Sequence, residues 1–138
     1  MINHYINGQA VDGGGHSSDL FNPSTGGKID CVLNGSARDV DAAVQVAHEA
    51  FGRWSVTGLG YRSEVLLACR QQLLLRRDEL IDICVNEAGK TVADATAEFG
   101  KGIEALAYAA SVGSWLRSGT TQHLSSGIDV VDARSPIG

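Results

Sequence analysis

The 138 residues, 43% apolar and 20% charged, are enough for one compact domain and exclude a disordered chain. A net charge of −5 argues against a nucleic-acid partner, which needs a clustered basic face; the local pair Arg76-Arg77 is followed at once by Asp78-Glu79 and reads as a solvated helix face. The longest uncharged stretch, Ala105 to Leu116, is shorter than the ~20 residues of a membrane-spanning helix, and Met1-Ile2-Asn3-His4-Tyr5 has neither the basic start nor the apolar run of a secretory signal.

The first 35 residues read as short strands separated by turns. Tyr5-Ile6 and Ala10-Val11 flank Asn7-Gly8, a pair that tolerates positive φ and marks a hairpin. Gly13-Gly14-Gly15 breaks the next segment; no lysine follows and no helix begins there, so it reads as a loop and not as a phosphate cradle. Leu20-Phe21 runs into the turn Asn22-Pro23-Ser24-Thr25-Gly26-Gly27, and Ile29 to Leu33 reads as a further strand.

From Ser36 the apolar period changes from two to 3.6. Ser36-Ala37-Arg38-Asp39 is a capping-box variant, and Val40, Ala43, Val44, Ala47, Phe51 and Trp54 form one apolar face of a helix ending near Trp54. A longer helix is expected from about Leu59 to Ala88, with Val65, Leu66, Cys69, Leu73, Leu80 and Cys84 inward and Arg62, Arg70, Arg77, Asp78 and Asp82 outward. Gly89 is placed to end it in the left-handed region, with Lys90 beside the negative end of the dipole. Thr91-Val92-Ala93-Asp94 opens a third helix, with Ala95, Phe99, Ile103, Leu106 and Ala110 inward, ending near Leu116. Thr120–Leu124 and Ile128–Arg134 read as two strands around Ser125-Ser126-Gly127.

Chemistry-bearing patterns are sparse. Gly58-Leu59-Gly60 with Asp78 twenty residues after Gly58 approaches a dinucleotide fingerprint, but Ser63 takes the third glycine position and no strand precedes the glycines. His4, His16, His48 and His123 show no metal-ligand spacing, and Cys31, Cys69 and Cys84 form no paired-cysteine motif. No cysteine opens a helix, and no serine occupies a nucleophile elbow. Cys69 and Cys84 read as small core residues, and all three cysteines as free thiols of a reducing cytoplasm. Residues and spacing alone therefore give three amphipathic helices between short strand pairs, with no catalytic, cofactor-binding or metal residue.

The ordered string of local signals nevertheless resembles the N-terminal part of the aldehyde dehydrogenase superfamily. The resemblance rests on Tyr5-Ile6-Asn7-Gly8, Phe21-Asn22-Pro23-Ser24-Thr25-Gly26, Asp39 to Val44 with Ala50-Phe51 and Trp54, and Arg62, Leu66 and Leu67. Asp78-Glu79-Leu80, Glu87-Ala88-Gly89-Lys90, Asp94-Ala95, Glu98 and Arg134-Ser135-Pro136-Ile137-Gly138 complete it. Ile2 to Gly8 around His4, Gly102-Ile103-Glu104 and Gly127-Ile128-Asp129 look most like methylmalonate-semialdehyde dehydrogenases. The sequence departs from that pattern at Glu87-Ala88-Gly89, which lacks a histidine before the glycine, and at Phe99-Gly100-Lys101.

The resemblance implies an α/β fold in which residues 1–118 form the N-terminal part of an NAD-binding domain. Residues 119–138 would be a strand pair of the oligomerisation region leading into the dinucleotide fold. It implies a homo-oligomeric, cytoplasmic, NAD-dependent oxidoreductase acting on an aldehyde such as methylmalonate semialdehyde. A cysteine thiolate adds to the carbonyl, a backbone amide and an asparagine hold the oxyanion, hydride leaves to NAD, and the acyl group passes to water or coenzyme A. The nucleophile, the asparagine and the NAD-contacting elements match positions beyond Gly138, so no functional residue carries over. By itself the segment is expected to be inactive and to show unpaired strand edges and exposed apolar faces. The alternative expectation is a non-catalytic module that binds full-length subunits.

Overall fold

Two glycine-containing turns set the N-terminal strands. The computed structural model describes residues 1–137; Gly138 lies outside the described residues. Strands β1 (His4–Ile6) and β2 (Gln9–Val11) pair antiparallel with Ile6 opposite Gln9, so Asn7 and Gly8 form a two-residue hairpin loop. Their φ values of 54° and 76° match the primed turn that suits strand twist, and glycine reaches the second without steric cost. β3 (Ser17–Phe21) and β4 (Lys28–Leu33) form a second antiparallel pair. In the turn between them, Asn22 Oδ1 accepts from the Ser24 and Thr25 amides at 2.8 and 3.2 Å, the side-chain substitute for a backbone turn that asparagine provides. The two hairpins are tied through Ile2, whose amide donates to the Cys31 carbonyl at 2.8 Å and whose carbonyl accepts from Leu33 at 3.0 Å.

Helix α1 (Ala37–Trp54) starts where the sequence places it. Ser36 Oγ accepts from the Asp39 amide, and Asp39 Oδ2 accepts from the Ser36 amide at 2.7 Å, satisfying two amides that would otherwise lack partners. The expected long second helix is two helices, α2 (Leu59–Leu75) and α3 (Arg77–Ala88). Arg76, at φ −106° and ψ 20°, leaves the helical region and breaks the run without glycine or proline. Asp78 and Glu79 then lie in the first turn of α3, where the helix dipole favours negative charge. α3 ends at Gly89 with φ 65°, as expected, and Thr91 caps α4 (Val92–Ala110) by accepting from the Asp94 amide at 3.1 Å. The final turn expected of that helix is a separate short helix, α5 (Val112–Trp115). Among the described residues five helices therefore replace the expected three. β5 (Thr120–Ser125) and β6 (Ile128–Val131) form the third antiparallel pair; β6 is shorter than the expected run to Arg134.

α2, α3 and α5 pack against α4. Ser63 of α2 donates to the Ala110 carbonyl of α4 at 2.6 Å, which fixes the two helices in register. The strand layer meets the helices at the Asn22–Gly27 turn, where Ser24 Oγ donates to the Gly89 carbonyl at 3.3 Å. A side chain at Gly89 would come within 2.7 Å of Pro23 Cγ, so the absence of a Cβ permits this approach as well as the left-handed cap.

The core is small. Only Ile81, Ala95, Ile103 and Ala110 are buried among the described residues, and Phe99 and Leu106 are half-buried. Ala95, Ile103 and Ala110 are inward, as expected for α4. Cys69 is exposed and Val65 is 40% exposed, against the expected stripe on α2. Arg62 and Arg70, expected outward, are half-buried. The cause is the composition of α2: Leu59, Val65 to Cys69 and Leu73 to Leu75 put apolar residues all round it, so spacing does not choose a face.

Candidate functional site

The glycines nearest to a cofactor fingerprint lie at the start of a helix that follows another helix. Gly58 is the N-cap of α2 and is entered from the turn that follows α1, not from a strand. Ser63 is engaged with α4, and Asp78 begins α3 in place of ending a strand. The dinucleotide arrangement needs a strand, a tight turn and a helix N-terminus facing the pyrophosphate. Here the nearby Arg62 is committed elsewhere: its Nε donates to the Thr57 carbonyl at 2.9 Å, and its Nη2 to the Trp54 and Ser55 carbonyls at 2.9 Å each. The guanidinium also lies over the Trp54 ring, 5.6 Å from its centre. Sequence reasoning placed Arg62 on a solvated face. The signal it passed over is position: an arginine early in one helix can reach the unpaired carbonyls that end the preceding one.

Titratable groups meet at several places, three of which bear on the strands and helix starts. Asp39 Oδ2 accepts from the Ser36 amide and hydroxyl at 2.7 Å each and from the Gly14 amide at 3.2 Å. The Ser36 hydroxyl above all, then the Ser36 and Gly14 amides and the charge of nearby His4, hold its carboxyl below the usual carboxylate range. The triple glycine thus wraps the start of α1, with His4 packed against Gly13. On the second hairpin, Lys28 pairs with Asp19 at 2.6 Å, and the Cys31 thiol donates to the same carboxylate oxygen at 3.7 Å. Lys90 pairs with Glu98, which raises the lysine pKa. These last two pairs sit at the surface, where such contacts contribute little. Among the described residues no three His, Cys, Asp or Glu side chains are placed to share a metal ion.

Asp39 makes a pH prediction possible. A depressed carboxylate pKa adds stability that is complete above its ordinary value of 3.8 and is lost as pH falls through the folded-state value. Asp39→Ala therefore lowers the urea midpoint at neutral pH, and its difference from the parent chain shrinks on acidification below the ordinary carboxylate range. A difference that stays constant with pH would assign the effect to packing.

The largest feature is uncovered apolar surface. The chain exposes 10155 Å², whereas a self-contained protein of 14.5 kDa exposes about 6,900 Å². α1 presents Val40 and Val44 at 58% and 62% exposure, along with Trp54. A groove of about 310 Å³ between α3 and α4 is lined by Leu80, Ile83, Cys84, Phe99, Ile103 and Leu106. All residues of β5 and β6 are exposed, and neither strand has a second neighbour among the described residues. Patches of this extent on one small chain mark surfaces made to be covered. Among the described residues, no helix is long and apolar enough to cross a membrane.

The profile of the aldehyde dehydrogenase family matches residues 11–138. A malonate-semialdehyde dehydrogenase of Bacillus pumilus is 33% identical over 139 aligned positions, covering 100% of this chain and 29% of that protein. The Bacillus cereus B4264 enzyme of the same name is 37% identical over 138, covering 99% of this chain and 28% of its own length. The chain therefore spans 28–29% of these relatives. Among solved structures, the methylmalonate-semialdehyde dehydrogenase of Oceanimonas doudoroffii superposes with a TM-score of 0.86 at 32% identity, over 93% of this chain and 26% of the other. A Sinorhizobium meliloti 1021 chain, assigned to the same activity and solved with NAD, gives 0.85 at 32% over the same shares.

Proposed function

The chain belongs to the aldehyde dehydrogenase family, and we propose that it supplies scaffold, not chemistry, to an NAD-dependent semialdehyde dehydrogenase. The observation that carries this reading is the pairing of full coverage by semialdehyde dehydrogenase relatives with a total accessible surface well above that of a self-contained protein of this mass. Residues 1–118 would form the N-terminal part of the NAD-binding domain. Residues 119–138 would supply a strand pair to the oligomerisation region, joining sister subunits.

In this reading the enzyme is cytoplasmic and oxidises malonate or methylmalonate semialdehyde, with the acyl group passed to water or to coenzyme A. NAD supplies the hydride acceptor. The catalytic cysteine, the oxyanion donors and the cofactor contacts lie outside residues 1–138, so the isolated chain is inactive. Its own residues position elements: Arg62 locks the α1–α2 corner, Ser63 sets α2 on α4, and Gly89 lets the Asn22–Gly27 turn seat on α3.

Calorimetric titration of the purified chain with NAD, beside a full-length homologue that binds it, is expected to give no saturable heat. A saturable isotherm would overturn the scaffold reading and return Gly58-Leu59-Gly60 to consideration. The exposed β5–β6 edges favour a second reading, a non-catalytic module that associates with full-length subunits. Co-elution of the chain with such subunits, absent after charged substitutions at Val130 and Val131, is the expected result on that reading.

A further inference from the structure

Two asparagine-glycine pairs occur in this chain, and the fold treats them in opposite ways. Asn3, Asn22, Asn34 and Asn86 each hold a side-chain hydrogen bond. Asn7 is the one asparagine among the described residues with none; it is exposed, at the tip of the β1–β2 hairpin. Its neighbour Gly8 is equally open, with no atom within 4 Å of where a Cβ would stand. At the second pair, Asn34 Nδ2 donates to Ser18 Oγ at 2.7 Å, and its amide donates to the His16 carbonyl at 2.9 Å. Gly35 is also exposed, but its Cβ position lies in contact with His4, 3.6 Å away.

We propose that Asn7-Gly8 is a site of spontaneous deamidation, and that Asn34-Gly35, identical in sequence, is protected by the fold. The Gly8 backbone nitrogen attacks Asn7 Cγ and forms a new C–N bond. The bond from Cγ to the side-chain nitrogen breaks, and ammonia leaves carrying the proton from the Gly8 amide. Water then opens the five-membered succinimide at either carbonyl, giving aspartate or isoaspartate. Nothing is oxidised or reduced, and water is the only co-reactant.

Ring closure needs Cγ and the next amide nitrogen in a near-attack arrangement, and such intramolecular reactions are steeply sensitive to misplacement. A glycine after the asparagine removes the side chain that would shield that nitrogen. The turn at Asn7 is the far end of a hairpin of two three-residue strands, so local opening at its tip is cheap. At Asn34 the amide is clamped to Ser18, and the backbone is fixed between β3 and the start of α1.

The modification has a structural consequence. Isoaspartate inserts a methylene into the main chain at the loop, and either product adds a negative charge. The two-residue loop no longer matches Ile6 to Gln9, and the His4–Val11 register is lost with it. His4 then leaves its seat against Gly13, loosening the hairpin from the start of α1.

Trypsin separates the two sites, because Asn7 falls in the peptide Met1–Lys28 and Asn34 in Ile29–Arg38. The full chain is aged at mildly alkaline pH, natively and in urea, and its peptides are mapped by mass spectrometry with fragmentation that localises the change. The expected result is conversion at Asn7 about tenfold or more faster than at Asn34 in the native chain, with the gap closing in urea. Ser18→Ala is expected to raise the native Asn34 rate severalfold. Equal native rates, faster conversion at Asn34, or an Asn7 that reacts in urea but not natively would each overturn the proposal. So would an Asn34 rate unmoved by Ser18→Ala, because the clamp would then explain nothing.

Discussion

Ile103→Ala lowers the unfolding free energy by about 2–5 kcal/mol, the usual cost of truncating a buried branched side chain. Ile103 is 8% exposed on the face of α4 that meets α3, beside Leu80 and Phe99. The loss has two parts: the transfer of three carbons to water and the space they leave among helices that relax only in part. Only four residues are buried among those described, so few other contacts can take up the slack. A domain of ordinary stability holds about 5–15 kcal/mol, and one with so little core lies toward the lower end. The variant should therefore lose most of its cooperative urea transition, followed by circular dichroism. Val44→Ala, at 62% exposure on α1, is the matched control and should move stability by no more than about 0.5 kcal/mol. Equal midpoints for the two variants would mean that the α3–α4 contact is not where stability resides.

Gly15→Ala is expected to cost about 1–3 kcal/mol or more, as overpacking does when nothing nearby can yield. A Cβ at Gly15 would stand 1.8 Å from the Asn34 carbonyl oxygen and 2.8 Å from its carbon. Both are backbone atoms, so no side-chain rotation relieves the clash. The loop must move by more than an ångström, and two bonds depend on its position: the Asn34 amide to the His16 carbonyl at 2.9 Å, and the Gly14 amide to Asp39 Oδ2 at 3.2 Å. Losing the second weakens the cap of α1. Gly14→Ala is the control, since a Cβ there would meet nothing nearer than Ser36 Oγ at 3.7 Å. Thermal unfolding of the two variants decides the matter: a normal midpoint for Gly15→Ala would show that the loop is free to re-form away from Asn34.

The loop also shows how far the sequence could be read. Gly13-Gly14-Gly15 was legible as a break between strands. Its packing on Asn34 and Asp39 was not, because that contact joins residues far apart in the sequence and leaves no trace in local spacing. The helix break at Arg76 was half-legible. Asp78 and Glu79 are what a helix start favours, yet Arg76 needs no glycine or proline to leave the helical region, so periodicity runs through the break unmarked. Cys69 and Val65 misled for a further reason: α2 is apolar on every side, and a pattern without a polar face names no inward direction.

By itself the sequence determined the local decisions, those in which a few adjacent residues satisfy or refuse a backbone geometry. Asn7-Gly8 dictated the hairpin, Ser36 with Asp39 and Thr91 with Asp94 dictated two helix starts, and Gly89 dictated a helix end. The ordered series of those signals also carried the family. The tertiary structure alone decided which apolar residues are covered. Burial belongs to pairs of surfaces, and α1, the α3–α4 groove and the β5–β6 edges each present one surface without its mate.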